Sequence, residues 1–287
     1  MKPRYLFSIL FLLPAFLAAQ TGKVFDNLSM KSEILKMDRN YAIYLPPDYE
    51  TSRRSYPVLY LLHGGGDDQT GWVQFGEVLR ITDQAIKEGS STAMIIVMPD
   101  AMAGKRGYFN QPDGNWNYED FFFDEFMPYV ERTYRIKSEK RYRAISGLSM
   151  GGGGTFMYAL HHPELFSSAC PLSASCGPLS LEEMKSYAAR RGITDATDAQ
   201  LESWFIKHSA LYQVEHMQED QKKAVRWYID CGDDDFLFEG NSLVHIAMRK
   251  GEIPHEFRIR EGGHNWTYWR ESLPEVLSFI SDAFHQH

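Results

Sequence analysis

The stretch Tyr142-Arg143-Ala144-Ile145-Ser146-Gly147-Leu148-Ser149-Met150-Gly151-Gly152-Gly153-Gly154 joins two patterns at one residue. Tyr142 to Ser146 reads as a short buried strand, and Gly151 to Leu160 reads as a helix stopped by Pro163. Ser149 stands at the junction, inside a G-x-S-x-G match whose glycines occupy places where a β-carbon would meet backbone folding back tightly. Four glycines opening a helix cost about 1 kcal/mol each relative to alanine, so close packing or chemistry has to account for them. A serine lifted on such a turn is placed for nucleophilic attack on an acyl carbon.

Working outward, strand-like apolar runs recur at Tyr41 to Leu45, Val58 to Leu62, Ala93 to Met98, Arg143 to Ser146, Phe166 to Leu172, Arg226 to Asp230 and His255 to Ile259. Helical spacing appears between most of them, clearest over Val78 to Lys87, Tyr118 to Thr133, Ser242 to Arg249 and Leu273 to Phe284. The alternation implies an α/β fold: a mostly parallel sheet flanked by helices, with chemistry at the carboxyl ends of the strands. One long polar stretch, Leu179 to Lys223, interrupts it before the strand that ends at Asp230. It reads as a helical insertion, either a lid or wall over the site or a decoration on its side.

A serine hydroxyl is a poor nucleophile until a base takes its proton, so a histidine and an orienting carboxylate must follow in the chain. His264 is the best base, because it sits in the glycine-rich turn Glu261-Gly262-Gly263-His264-Asn265-Trp266 between the last strand and the last helix. The carboxylate is expected just past the preceding strand, where Cys231-Gly232-Asp233-Asp234-Asp235 supplies three candidates. Asp235 is favoured, since one helix and one strand separate it from His264; Asp234 is the alternative, and periodicity does not separate the two. The developing oxyanion needs two backbone N–H groups, assigned to Met150 after the nucleophile and to Gly65 in Leu61-Leu62-His63-Gly64-Gly65-Gly66. His63 is read as a brace for that loop rather than as a base.

The chain has 287 residues, 44% of them hydrophobic, enough for one large domain, and no repeat or linker divides it. Lys2 and Arg4, the apolar stretch Tyr5 to Leu17, and then Ala18 and Ala19 have the layout of a secretory signal peptide over 1–19. The single catalytic domain then runs over 20–287, with 179–223 as the insertion, and the protein is expected to be periplasmic or extracellular. The formal charge of −8 disfavours nucleic acid and anionic membrane surfaces as partners. No stable membrane association is expected after leader removal. Cys170, Cys176 and Cys231 form an odd set, which leaves open a Cys176–Cys231 pairing, and their spacing is not that of a metal site.

With Ser149, Asp235, His264 and the His63-Gly64-Gly65-Gly66 loop in this order, the chain resembles the esterase family of α/β-hydrolases that holds feruloyl and acetylxylan esterases, esterase D and mycolyltransferases. Its marks are Leu59-Tyr60-Leu61-Leu62-His63-Gly64-Gly65-Gly66, Gly147-Leu148-Ser149-Met150-Gly151-Gly152, and Gly262-Gly263-His264 followed by Trp266, Tyr268 and Trp269. The resemblance implies a Ser-His-Asp esterase that uses neither metal nor organic cofactor.

Trp72, Trp116, Tyr118 and Trp266 lie near the expected site in sequence and suit a phenolic acyl group or a sugar ring. Together with export, they point to feruloyl esters on plant polysaccharide. Acetylxylan or another short-chain ester, acyl transfer, and an inactive carbohydrate-binding module are the alternatives.

Overall fold

The computed structural model describes residues 21–102, 107–111, 113–190, 193 and 195–285. The leader expected over 1–19 lies outside them. Eight strands, β1 (Lys23–Ser32), β2 (Met37–Leu45), β3 (Val58–Leu62), β4 (Ile95–Pro99), β5 (Arg143–Leu148), β6 (Ser168–Leu172), β7 (Arg226–Gly232) and β8 (His255–Arg260), form one sheet in the order β1-β2-β4-β3-β5-β6-β7-β8. The β1–β2 and β2–β4 pairs are antiparallel and the remaining pairs are parallel.

The inner strands β3, β4, β5 and β6 are buried along their whole length, as a parallel sheet covered on both faces requires. Alternation sorts their side chains. Val58, Tyr60 and Leu62 face one core, with Ile145, Phe156 and Trp227, whereas Leu59 and Leu61 face the other, with Ala144, Leu148 and Leu277.

The helices are α1 (Gly71–Gln74), α2 (Val78–Glu88), α3 (Tyr118–Asp120), α4 (Met127–Thr133), α5 (Met150–His161), α6 (Leu181–Arg190), α7 (Asp198–His208), α8 (Ala210–Glu215), α9 (Phe238–Lys250) and α10 (Trp266–His285). The helix expected over Tyr118 to Thr133 is not uniform: a π-helical turn, Phe121–Phe126, joins α3 to α4. Pro128 has no N–H for the carbonyl of Asp124, and the widened turn accommodates that while placing Phe121, Phe122 and Phe126 all in the core. The stretch Leu179 to Lys223 contains α6, α7 and α8, and Met184, Ala188, Leu201 and Trp204 form a small core of their own. A capping box of Thr197 and Gln200 starts α7.

From β3 the chain leaves toward β4 on one side, and β5 then enters on the other. The carboxyl ends of β3 and β5 therefore flank a topological switch point, where such sheets open a crevice. Gly64–Gly66 follow β3 there, and Ser149 follows β5.

Candidate active site

Ser149 has φ 55° and ψ −114°, a left-handed conformation that a serine adopts only when its surroundings enforce it. The enforcement is local. Its N–H donates to Leu172 O at 2.9 Å, and its carbonyl accepts from Ser175 N at 2.9 Å and Gly153 N at 3.0 Å. The flanking glycines are a steric necessity: a β-carbon on Gly147 would sit 2.6 Å from Gly151 O, and one on Gly151 would sit 2.6 Å from both Leu62 O and His63 O.

The turn aims Ser149 Oγ at His264, whose Nε2 lies 2.9 Å away. His264 Nδ1 faces Asp235 Oδ2 at 2.8 Å and Oδ1 at 3.0 Å. An ionised carboxylate only accepts, so Nδ1 carries the proton and Nε2 keeps its lone pair for the serine hydroxyl. Asp235 Oδ1 also accepts the Leu237 N–H at 2.8 Å. Burial pushes the Asp235 carboxyl up, yet hydrogen bonds from His264, Leu237 N–H and Ser173, with the charge of His264, hold it below its ordinary value.

Asp234, the alternative acid, is exposed, and its N–H is spent on Gly262 O. Asp233 is exposed as well, and its carboxylate accepts the Gly262 N–H at 3.0 Å. The two aspartates and Glu261 are the one group of three potential metal ligands found within 4.8 Å of one another among the described residues; all three are exposed. The structure therefore brings Ser149, His264 and Asp235 into one relay and leaves the neighbouring aspartates to shape the turn.

Gly65, Gly66 and Met150 border the same cavity as Ser149, which measures about 630 Å³. His63 lies beneath this loop, buried, with Nδ1 2.8 Å from Gly64 O and Nε2 accepting the Ala101 N–H at 3.0 Å. Its backbone N–H donates to the Tyr108 hydroxyl at 2.8 Å. Both ring nitrogens are thus spent on main chain, and His63 braces the Gly64–Gly66 loop.

The aromatic contacts expected from sequence are corrected here. Trp72, Trp116 and Tyr118 are at most 1% exposed and belong to the core. Their polar atoms are spent inward: Trp72 Nε1 donates to Leu62 O, Trp116 Nε1 to Gly107 O and the Tyr118 hydroxyl to Asp100 O. Trp266 is half-buried and packs edge-on against Trp72 and Trp269, away from the cavity lining. The cavity takes its aromatic wall from Phe109, Tyr187, Trp204 and Phe236 instead. Tyr187 and Trp204 arrive on α6 and α7, so the insertion contributes directly to the site. Phe236 follows Asp235 in the chain and stands 75% exposed with its ring 4.5 Å from that of His264. The signal for Phe236 was its position beside the acid. For Phe109, Tyr187 and Trp204 no local spacing relates them to Ser149. All three cysteines are free and buried.

The chain is similar to known esterases. The family described as "Putative esterase" matches residues 32–280. A solved ferulic acid esterase superposes with a TM-score of 0.80 at 36% identity, over 92% of this chain and 99% of that one. An endo-1,4-beta-xylanase/feruloyl esterase of Xylanibacter ruminicola is 35% identical over 83% of this chain and 28% of its own length. An esterase of Mycobacterium tuberculosis is 39% identical over 48% of this chain and 29% of its own. The chain thus matches less than a third of the length of these two curated relatives. The chain belongs to the esterase family of α/β-hydrolases.

Proposed function

We propose that this protein is an exported serine carboxylesterase that hydrolyses feruloyl and related hydroxycinnamoyl esters on plant polysaccharide. The observation that carries the reading is the Asp235–His264–Ser149 relay opening into a cavity walled by Phe109, Tyr187, Trp204 and Phe236. Similarity to a ferulic acid esterase and to a xylanase/feruloyl esterase supports the acyl group and the polysaccharide. The basic, apolar, then small-residue order of Lys2 to Ala19 supports export.

In the proposed reaction His264 Nε2 takes the Ser149 hydroxyl proton as Oγ bonds to the ester carbonyl carbon. The N–H groups of Gly65 and Met150 receive the negative charge on the carbonyl oxygen, each such donor being worth about 10²- to 10³-fold in rate. His264 returns the proton to the sugar oxygen as the carbon–oxygen bond breaks, which leaves an acyl group on Ser149. Water, deprotonated by the same nitrogen, then attacks that ester and releases the acid with Ser149 Oγ reprotonated. The anionic Asp235 keeps His264 in the required tautomer and stabilises the transient imidazolium.

The test is a turnover panel of methyl ferulate, methyl p-coumarate, methyl sinapate, p-nitrophenyl acetate and acetylated xylan. Release of hydroxycinnamates with kcat/KM above that for the acetyl esters is expected. Acetyl release without ferulate release would move the assignment to a short-chain esterase.

A further inference from the structure

Trp204 is a partition between two cavities. One is the Ser149 cavity; the other, also about 630 Å³, shares Trp204 and Gln111 with it as a common wall. The partition is fixed. The Trp204 indole N–H donates to Asn110 O at 3.1 Å, and its ring lies near-parallel to those of Tyr187, at 6.1 Å and 11°, and His208, at 4.2 Å and 19°.

The lining of the second cavity has the chemistry that recognises hydroxyl groups. Asp120, Asp124, Gln200 and Ser203 border it, with the ring of Phe123 beside them. Carboxylates and amides accept and donate to vicinal hydroxyls, while an aromatic face takes the apolar face of a pyranose or furanose ring. His208 also borders the cavity. It is 5% exposed, its Nδ1 lies 2.9 Å from Trp204 O, and its Nε2 is buried without a hydrogen-bond partner. The carbonyl at Nδ1 places the ring proton there, so Nε2 is an acceptor. Burial pushes the ring down to about 4, so it stays neutral.

The charged groups of the wall are partly committed to one another. Glu119 is committed to His161 at 2.6 Å, and Asp120 accepts from Asn110 at 2.7 Å, while Asp124 is exposed at the rim. Lys207 and His161 line the same wall, so the cavity offers both donors and acceptors to the hydroxyls of a glycan. A glycan strand crossing Trp204 would keep its esterified unit at Ser149 and put its neighbour in the second cavity.

We propose that this cavity is a binding subsite for a saccharide segment adjoining the esterified sugar, an assignment that rests on the esterase reading for the strand's direction. It separates ester recognition at Ser149 from glycan recognition across Trp204.

The probe is unesterified xylotetraose, titrated by calorimetry and by NMR chemical-shift perturbation into the wild-type protein and into Ser203→Trp and Asp124→Ala. Both substitutions are at exposed positions; the first fills the cavity and the second removes an acceptor from its rim. Thermal melting verifies that each variant is folded.

Saturable binding by the wild type is expected, weakened roughly tenfold in each variant. The ratio of kcat/KM for feruloylated arabinoxylan oligosaccharide to that for methyl ferulate should fall by a similar factor. Absence of xylotetraose binding to wild type, or variants that retain both the affinity and the ratio, would overturn the subsite. If wild type binds xylotetraose yet hydrolyses no methyl ferulate, the acyl assignment fails and the subsite stands.

Discussion

The carbonyl oxygen of Leu172 accepts the backbone N–H of Ser149 at 2.9 Å, so the end of β6 holds the elbow residue in its left-handed conformation. A serine in that region stores about 1–3 kcal/mol, which the packing around it must supply. One close approach of the elbow to the sheet is at Gly151. In Gly151→Ala the new methyl would press on Leu62 O and His63 O, the backbone that leads into the Gly64–Gly66 loop. Thermal unfolding should show a loss of about 1–3 kcal/mol, with a lower kcat on methyl ferulate. A variant with unchanged Tm and full turnover would mean that the helix does not need this approach.

Asp235 and Asp234 are adjacent in the chain, and one of them contacts His264. Asp235→Asn places an amide opposite Nδ1 and favours the wrong tautomer, so kcat should drop by about 10⁴. Asp234→Asn should stay within a few-fold of wild type, since its side chain is exposed and away from the relay. Steady-state kinetics on methyl ferulate decides. Equal losses in the two variants would remove the distinction.

Phe236 is 75% exposed beside His264, so its ring contributes contact area chiefly when something binds. Phe236→Ala should change stability by no more than about 0.5 kcal/mol. KM for methyl ferulate should rise several-fold, while KM for p-nitrophenyl acetate should move much less. Parallel changes for both esters would rule out an aromatic acyl group against this ring.

Glu119 and His161 pair at 2.6 Å where the end of α5 meets the insertion, and His161 Nε2 bonds Lys207 O on α7 at 2.7 Å. Burial pushes the His161 ring down, but the hydrogen bond and charge of Glu119 outweigh it and raise the ring above its ordinary 6.5. Burial likewise pushes Glu119 up, and His161 outweighs it and holds the carboxyl below its ordinary 4.5. The histidine's contribution is therefore full below 6.5 and lost as pH rises through the raised value. The carboxylate's contribution is present above 4.5 and lost as pH falls through the lowered value. Tm of wild type should exceed that of Glu119→Gln most near pH 5.5 and least near pH 9. A gap that is constant across this range would contradict the pairing.

The sheet was legible because β3 to β6 are short apolar runs buried on both faces, the pattern that sequence displays best. β1 carries no such signal: much of Lys23–Ser32 is exposed, so no apolar run marks it. The helix expected from Leu273 begins earlier, at Trp266, and runs through Pro274. Ser149, His264 and Asp235 each sit on a turn that closes a strand, and strand order alone brings those turns to one edge. The cavity wall was not readable in that way. Trp72, Trp116 and Tyr118 lie near the site yet turn inward, where backbone carbonyls meet their N–H and O–H groups. Tyr187 and Trp204 come from an insertion whose docking depends on tertiary contacts, which no periodicity encodes.

The central claim is that Ser149 itself carries the hydroxycinnamoyl group during turnover. Acid quenching of a reaction with methyl ferulate, followed by peptide mass spectrometry, observes it directly. A feruloyl ester on the peptide containing Ser149, absent in Ser149→Ala and accumulating during the first turnover, is the expected result. Ferulate release that proceeds with that peptide unmodified, or undiminished in Ser149→Ala, would contradict the account.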